Sequence, residues 1–284
     1  MTQVAIVTGG ASGIGAALSR AIAQRGIEVV LADRQRERAE EEAQAIIKAG
    51  GKAVAAELDV RDFSAFQGLV EATVARSGRI DYLYNNAGIA IGGEVDTYSL
   101  ADWLDVFAVN LNGVVHGIQA VYPRMIAQRS GHIINTASMA GLMSTAGEAS
   151  YGATKHAVVS LTKSLRIEAH RHNVRFSVLC PGAIRTPILT GGKYGRLNLP
   201  GVSNEQALAI WERVRPMDPD VLARKTLEAV DRNQAIIVLP AWWKALWYLE
   251  RLSPTLSMYV WRKFLERTRA ELAPGAASAP QSPL

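Results

Sequence analysis

"VAIVTGGASGIG", residues 4–15, sets a short apolar run directly against a turn rich in glycine. The run suits a strand buried on both faces, and "AALSRAIAQRG" at 16–26 has the apolar spacing of an amphipathic helix. Between the two, Gly9, Gly13 and Gly15 permit a tight turn whose backbone can approach a pyrophosphate, faced by the free amides and positive dipole end of the helix. A glycine-rich turn alone is also plain loop chemistry. The spacing TGxxxGxG at a strand-to-helix junction says more, and so does Asp33, which closes the next apolar run about twenty residues on, where a carboxylate can accept hydrogen bonds from an adenosine ribose. Together they point to a dinucleotide. Asp33 would repel the 2′-phosphate of NADP, which favours NAD; Arg34 beside it can pair with that phosphate, stack on adenine or face water, so NADP stays the alternative.

Outward from this turn, short apolar runs alternate with helical patterns. "EVVLAD" (28–33), "AVAAELDV" (53–60), "IDYLYNNAG" (80–88), "HIINTAS" (132–138), "VRFSVLCPG" (174–182) and "AIIVLP" (235–240) read as strands, and "RERAEEEAQAIIKAG" between the first two reads as an amphipathic helix closed by glycine. Strands buried on both faces and separated by helices predict parallel βαβ units, hence an α/β fold with a doubly wound parallel sheet of Rossmann type. The predicted organisation is a single catalytic domain over 1–240, a helical aromatic-rich extension over 241–272 and a disordered Ala/Pro/Ser tail over 273–284.

Composition bounds the function. With 284 residues, 49% hydrophobic and 20% charged, the chain can bury one large core. Its one cysteine, Cys180, excludes an internal disulfide framework and a cysteine-cluster metal site, and reads as a small buried apolar residue. The net charge of +5 is scattered, without zinc-finger spacing or a basic arm, so no nucleic acid is expected. Five histidines cluster only as "HRH" at 170–172, at a predicted helix end, and no metal is expected. The N-terminus has no signal-peptide pattern, and the expected location is cytoplasmic.

In "ASYGATKHAVVSLTKSL", residues 149–165, Tyr151 and Lys155 stand four apart on a predicted helix and share a face. Such a pair is a proton-transfer device or merely two residues on a helix surface. Its companions bear on the choice: "NNAG" at 85–88, Asn110 in "VNLNG", Ser138 after the fifth strand, and "CPGAIRT" at 180–186. In this order, with "TGGASGIG", the chain resembles the classical short-chain dehydrogenase/reductase family over roughly residues 3–240.

What the resemblance implies is an oxidoreductase with a catalytic tetrad of Asn110, Ser138, Tyr151 and Lys155. Tyr151 would exchange a proton with a secondary alcohol or its ketone, helped by Lys155 and the oxidised nicotinamide, both of which favour the phenolate and lower its pKa. Ser138 would hydrogen-bond the substrate oxygen, and Asn110, at a helix kink, would hold a water in a proton relay. The resemblance further places Gly9, Ser12, Gly13, Ile14 and Gly15 on the pyrophosphate side, Asp33 and Arg34 at the adenosine ribose, and Asp59 and Val60 beside the adenine. It places Asn86, Ala87 and Gly88 along the cofactor, Tyr151 and Lys155 at the nicotinamide ribose, and Pro181, Ile184 and Thr186 over the carboxamide. A homodimer or homotetramer is implied as well. The alternative is a dinucleotide-binding regulator or scaffold with vestigial chemistry.

Substrate-facing candidates are Met139, Met143 and Glu148 between the serine and the tyrosine, and Leu189 in "ILTGGKYGRLNLPG" (188–201), within a glycine-containing lid over about 184–215. Met143, Glu148 and Leu189, with Ser138 and Tyr151, form the expected substrate set, suited to a bulky apolar alcohol or ketone of steroid- or lipid-like character. The extension carries Trp242, Trp243, Trp247 and Trp261 among Lys244, Arg251, Arg262, Lys263, Arg267 and Arg269. Its apolar runs, broken by Pro240, Lys244, Glu250 and Pro254, are too short to span a bilayer. Three readings are open: helices packed over the active-site mouth or a neighbouring subunit, peripheral membrane contact, or structural filler.

Overall fold

Apolar runs shielded from water on both faces make the centre of this molecule, and helices cover both sides. The computed structural model describes residues 2–190, 194–197 and 204–272. The chain runs β1 (Val4–Thr8), α1 (Gly13–Ala23), β2 (Glu28–Asp33), α2 (Arg36–Lys48), β3 (Ala53–Glu57), α3 (Phe63–Ser77) and β4 (Tyr82–Asn85). It continues through β5 (Ala90–Gly92), α4 (Leu100–Phe107), α5 (Gly113–Gln128), β6 (His132–Thr136), α6 (Ala149–Glu168) and β7 (Arg175–Pro181). It ends with β8 (Gly195–Leu197), α7 (Asn204–Glu212), α8 (Pro219–Asp231), β9 (Ile236–Leu239), α9 (Trp243–Leu252) and α10 (Pro254–Leu272).

Among the described residues, seven strands form one parallel sheet in the order β3-β2-β1-β4-β6-β7-β9, the doubly wound arrangement. Two apolar clusters cover its faces: one joins Phe66, Ile118, Met125 and Phe176, the other Leu18, Ile22, Leu31 and Tyr84. Strand order reverses between β1 and β4, and there the chain beyond β4 folds back onto the end of β1, with the Asn86 and Ala87 amides donating to Thr8 Oγ1 at 2.9 and 3.1 Å. A crevice opens at this switch point, where α/β sheets bind ligands.

Local rules fix the ends of several helices. Asp62 accepts from the Ala65 amide at the start of α3, Ser99 and Asp102 form a reciprocal capping box on α4, and Asp218 caps α8 ahead of Pro219. The strand runs are shorter than the sequence suggests. Strand pairing ends at Glu57, Asn85 and Thr136, with one further backbone hydrogen bond past two of these ends, from the Leu58 amide to the Asp33 carbonyl and from the Ala137 amide to the Leu179 carbonyl. A small parallel pair, β5 with β8, was not expected from the sequence and ties the lid region to the segment after β4. Leu199 and the tail at 273–284 lie outside the described residues.

The two C-terminal helices fold back over the crevice. Trp243 is buried and packs so closely on Gly182, just past β7, that a Cβ there would come within 2.2 Å of its indole nitrogen. Trp242 stacks on Trp243 with ring centroids 4.7 Å apart. Arg269 pairs with Glu94 and Arg213 with Glu271, fastening α10 at both flanks. Among the described residues no helix is long and apolar enough to cross a membrane.

Beneath the crevice lies a chain of buried amides. The Asn85 side-chain amide donates to Asn135 Oδ1 at 2.9 Å, and Asn135 Nδ2 donates to Thr162 Oγ1 at 2.9 Å, which joins β4, β6 and α6. All three residues are almost fully buried. Replacing Asn135 by Ala leaves the buried Asn85 amide without its Asn135 acceptor and Thr162 Oγ1 without its donor, and should cost about 1–3 kcal/mol of stability, read from the shift in denaturation midpoint; a change below about 0.5 kcal/mol would refute this account of the network.

Candidate active site

Each wall of the crevice comes from a different strand end. At β1 the chain enters a glycine turn with Gly9 and Gly13 at φ +63 and +51, conformations that cost other residues energy. Gly15 sits where a Cβ would come 1.9 Å from the Gly9 carbonyl oxygen, so only glycine lets α1 start this close to the turn. Ser12 precedes α1 without a side-chain cap, and the first amides of a helix lack intrahelical partners. Ser12, Gly13 and Ile14 line the cavity here.

Asp33, at the end of β2, also lines it and is nearly buried. Its two oxygens accept from the Ala11 and Gln35 amides at 3.1 and 3.0 Å, which fixes the carboxylate in place. Above it Tyr194 accepts a 2.7 Å hydrogen bond from Arg38, tying the lid to the start of α2.

From this end a cavity of about 560 Å³ runs past Asn86, Ala87 and Gly88 to Ser138, Tyr151, Lys155, Pro181, Ile184 and Thr186. Gly15, Arg34, Asp59, Val60 and Asn110, all named from the sequence, are outside its lining. Gly15 shapes the turn from behind. Asp59 is taken by Arg61 in a two-pronged ion pair, which holds its carboxyl below the usual range, with a further contribution from Arg34. Val60 is buried, with its carbonyl against His116 Nδ1 at 2.8 Å.

Asn110 lies in a single π-helical turn, residues 108–112, between α4 and α5. The widened turn aims it inward, where its side chain both accepts from the Ile89 amide and donates to the Ile89 carbonyl, each at 2.9 Å. It thereby fixes the backbone beside Gly88, and a Cβ on Gly88 would lie 3.4 Å from Asn110 Oδ1 and 3.5 Å from Lys155 Nζ. These three residues meet at one point.

Lys155, on α6, is buried and donates to the Thr136 carbonyl at 2.9 Å. Burial lowers its pKa to about 8. Its ammonium lies 5.4 Å from the Tyr151 ring centre, one helical turn away. Ser138 accepts from the Ala140 amide at 3.1 Å and donates to the Pro181 carbonyl at 3.5 Å, which orients its hydroxyl at the cavity wall it shares with Tyr151. The sequence leads one to expect a phenol of lowered pKa. Instead burial, followed by the charge of Glu148, raises it, while the Ser138 hydroxyl favours the anion. In the protein alone Tyr151 is thus a neutral phenol at physiological pH.

Met139, Met143, Glu148 and Leu189 also line the cavity. Burial raises the Glu148 carboxyl to about 7. Helices packed over the active-site mouth were one of the three readings of the extension, and the roof consists of Leu246, Leu249, Val260, Trp261, Phe264 and Leu265 from α9 and α10, with Trp211 and Val214 from the lid. The tryptophan-rich composition of 240–272 was the available signal, but it did not say which face each ring takes. Among the described residues no three His, Cys, Asp or Glu side chains gather as a metal site.

Comparison with known proteins bears on this geometry. The sequence pattern of the short chain dehydrogenase family matches residues 3–193. An uncharacterized oxidoreductase of Listeria innocua is 36% identical over 238 residues, 83% of this chain and 93% of that protein. A 2,5-dichloro-2,5-cyclohexadiene-1,4-diol dehydrogenase of Sphingobium indicum is 38% identical over 186 residues, 66% of this chain and 74% of that protein. A short chain dehydrogenase/reductase of Burkholderia phymatum, crystallised with NAD, superposes with a TM-score of 0.80 at 31% identity, covering 90% of this chain and 95% of its own.

Glu148 gives the site a measurable signature. With a folded pKa near 7 against an ordinary 4.5, the folded state holds an extra proton between those values, so this group makes stability fall as pH rises across them. Relative to Glu148→Gln, the cofactor-free wild type should lose up to about 3 kcal/mol between about pH 5 and about pH 8, measured by denaturation at each pH. A constant difference would mean that Glu148 keeps an ordinary pKa.

Proposed function

The chain belongs to the short chain dehydrogenase family, and on that premise we propose that this oxidoreductase interconverts a bulky, apolar secondary alcohol and its ketone, with NAD as cofactor and Tyr151 as acid and base. The observation that carries the proposal is the meeting of Ser138, Tyr151 and Lys155 at the far end of the cavity that begins at the glycine turn and Asp33. That cavity suits a dinucleotide. The uncapped start of α1 and the glycines would hold the pyrophosphate, Asp33 the adenosine ribose, Lys155 the nicotinamide ribose, and Pro181, Ile184 and Thr186 the carboxamide.

A bound nicotinamide dinucleotide supplies the acceptor or donor of hydride. The protein supplies the rest. In reduction the neutral Tyr151 phenol gives its proton to the carbonyl oxygen as the C–H bond forms, leaving a phenolate beside Lys155. In oxidation the same oxygen takes the alcohol proton as hydride departs. Ser138, oriented by the Ala140 amide, donates to the substrate oxygen and offsets the charge that develops there. Asn110 acts at a distance by fixing the Ile89 backbone next to Lys155 and Gly88.

The roof supports the substrate class. Trp261, Phe264, Leu246 and Met143 line the same cavity as Ser138 and Tyr151, and a substrate beneath them would be shielded from water, which would strengthen its polar contacts. The named Sphingobium relative acts on a six-membered ring alcohol, in keeping with a compact ring held under such a cover.

Tyr151→Phe should lower turnover of a secondary alcohol about 10²–10⁴-fold while leaving the NAD dissociation constant within about twofold. Undiminished reduction of NAD by this variant would overturn the mechanism. Cofactor choice is checked at Asp33: wild type should use NAD over NADP, and Asp33→Ser should erode that preference by about tenfold or more in kcat/KM, because the repulsion toward a 2′-phosphate is gone. An unchanged ratio would assign the discrimination elsewhere.

A further inference from the structure

Three carboxylates line the cavity: Asp33, Glu94 and Glu148. Asp33 is satisfied by two backbone amides, and Glu94 by Arg269 of the roof. Glu148 differs. It stands at the N-cap of α6, where its carbonyl accepts from the Gly152 amide at 2.8 Å but its side chain does not cap the helix, and among the described residues its carboxyl has no hydrogen bond or ion pair. Nearby the wall is mostly apolar or small, with Met143, Thr145, Ala146 and Gly147 on its own segment and Gly93, whose amide donates to the Gly147 carbonyl at 2.8 Å. A carboxyl facing such a wall is costly unless something hydrogen-bonds it.

Its position names what that something is. Glu148 immediately precedes α6, three residues before Tyr151, and both side chains line the same cavity. Ser138, Tyr151 and Glu148 share this cavity, so a substrate with its reacting oxygen at Tyr151 and Ser138 can offer a second group to Glu148. A hydroxyl there could donate to the carboxylate; a purely hydrocarbon end would leave it stranded.

We propose that Glu148 accepts a hydrogen bond from a second hydroxyl of the substrate, so that the enzyme selects apolar diols and hydroxyketones, with two oxygens across a ring, over simple alcohols. The inference rests on the activity proposed above. A carboxyl raised to about 7 by burial carries the mark of a group that lacks its partner in the protein alone.

The test compares kcat/KM for cyclohexanol and cyclohexane-1,4-diol, with NAD, in wild type and Glu148→Leu. Wild type should favour the diol by about tenfold or more, and the variant should lose that preference chiefly through a higher KM for the diol. Glu148→Met, of similar length, makes the same comparison should the leucine variant fail to fold. A preference for the diol that survives in the variants within about twofold overturns the assignment to Glu148. Equal use of both alcohols by wild type overturns the inference and leaves the proposed activity standing; turnover of neither overturns both.

Discussion

A lysine amine kept inside the protein is the constraint around which the site is arranged. Lys155 is stripped of water, and its compensation comes from the Thr136 carbonyl at 2.9 Å. That contact binds α6 to the end of β6. Gly141 lets the loop between them lie against the helix, since a Cβ there would approach the Lys155 carbonyl oxygen to 2.5 Å. On the other side Asn110 holds the Gly88–Ile89 backbone where a larger residue at 88 would crowd the amine. Tyr151 is positioned by the same helix, one turn away, so the proton-transfer pair inherits its geometry from the packing that buries the lysine.

How much of this the sequence reveals follows from the range of the interactions. The doubly wound sheet was legible because βαβ alternation is written in short apolar runs and capped helices. The glycine turn was legible because its steric demands fall within a dozen residues. Asn110 was named by resemblance, and the π-helical turn supplies the physical reason: it aims this asparagine inward. The roof stayed one of three open readings, because the contacts that seat it join distant positions, Gly182 with Trp243 and Glu94 with Arg269. Aromatic composition marked the segment without telling which side of each helix would face the crevice.

Electrostatics was the least legible layer. Asp59 was placed beside the adenine by resemblance, and the sequence did not tell that its oxygens are held by Arg61, two residues away. Tyr151 was expected to be acidified by its lysine, but that effect competes with desolvation, and burial wins in the protein alone. Such outcomes depend on how many groups surround a charge in three dimensions, which a linear spacing does not encode.

The roof has a consequence for how this protein can change. The family pattern spans residues 3–193, whereas Trp211, Val214 and the covering faces of α9 and α10 come from the chain beyond it. The groove and the proton-transfer residues are thus inherited in one stretch, and much of the cover in another. Mutations that reshape the cover leave the spacing of Ser138, Tyr151 and Lys155 untouched, so descendants of this chain are free to drift toward new substrates without first passing through inactive ancestors.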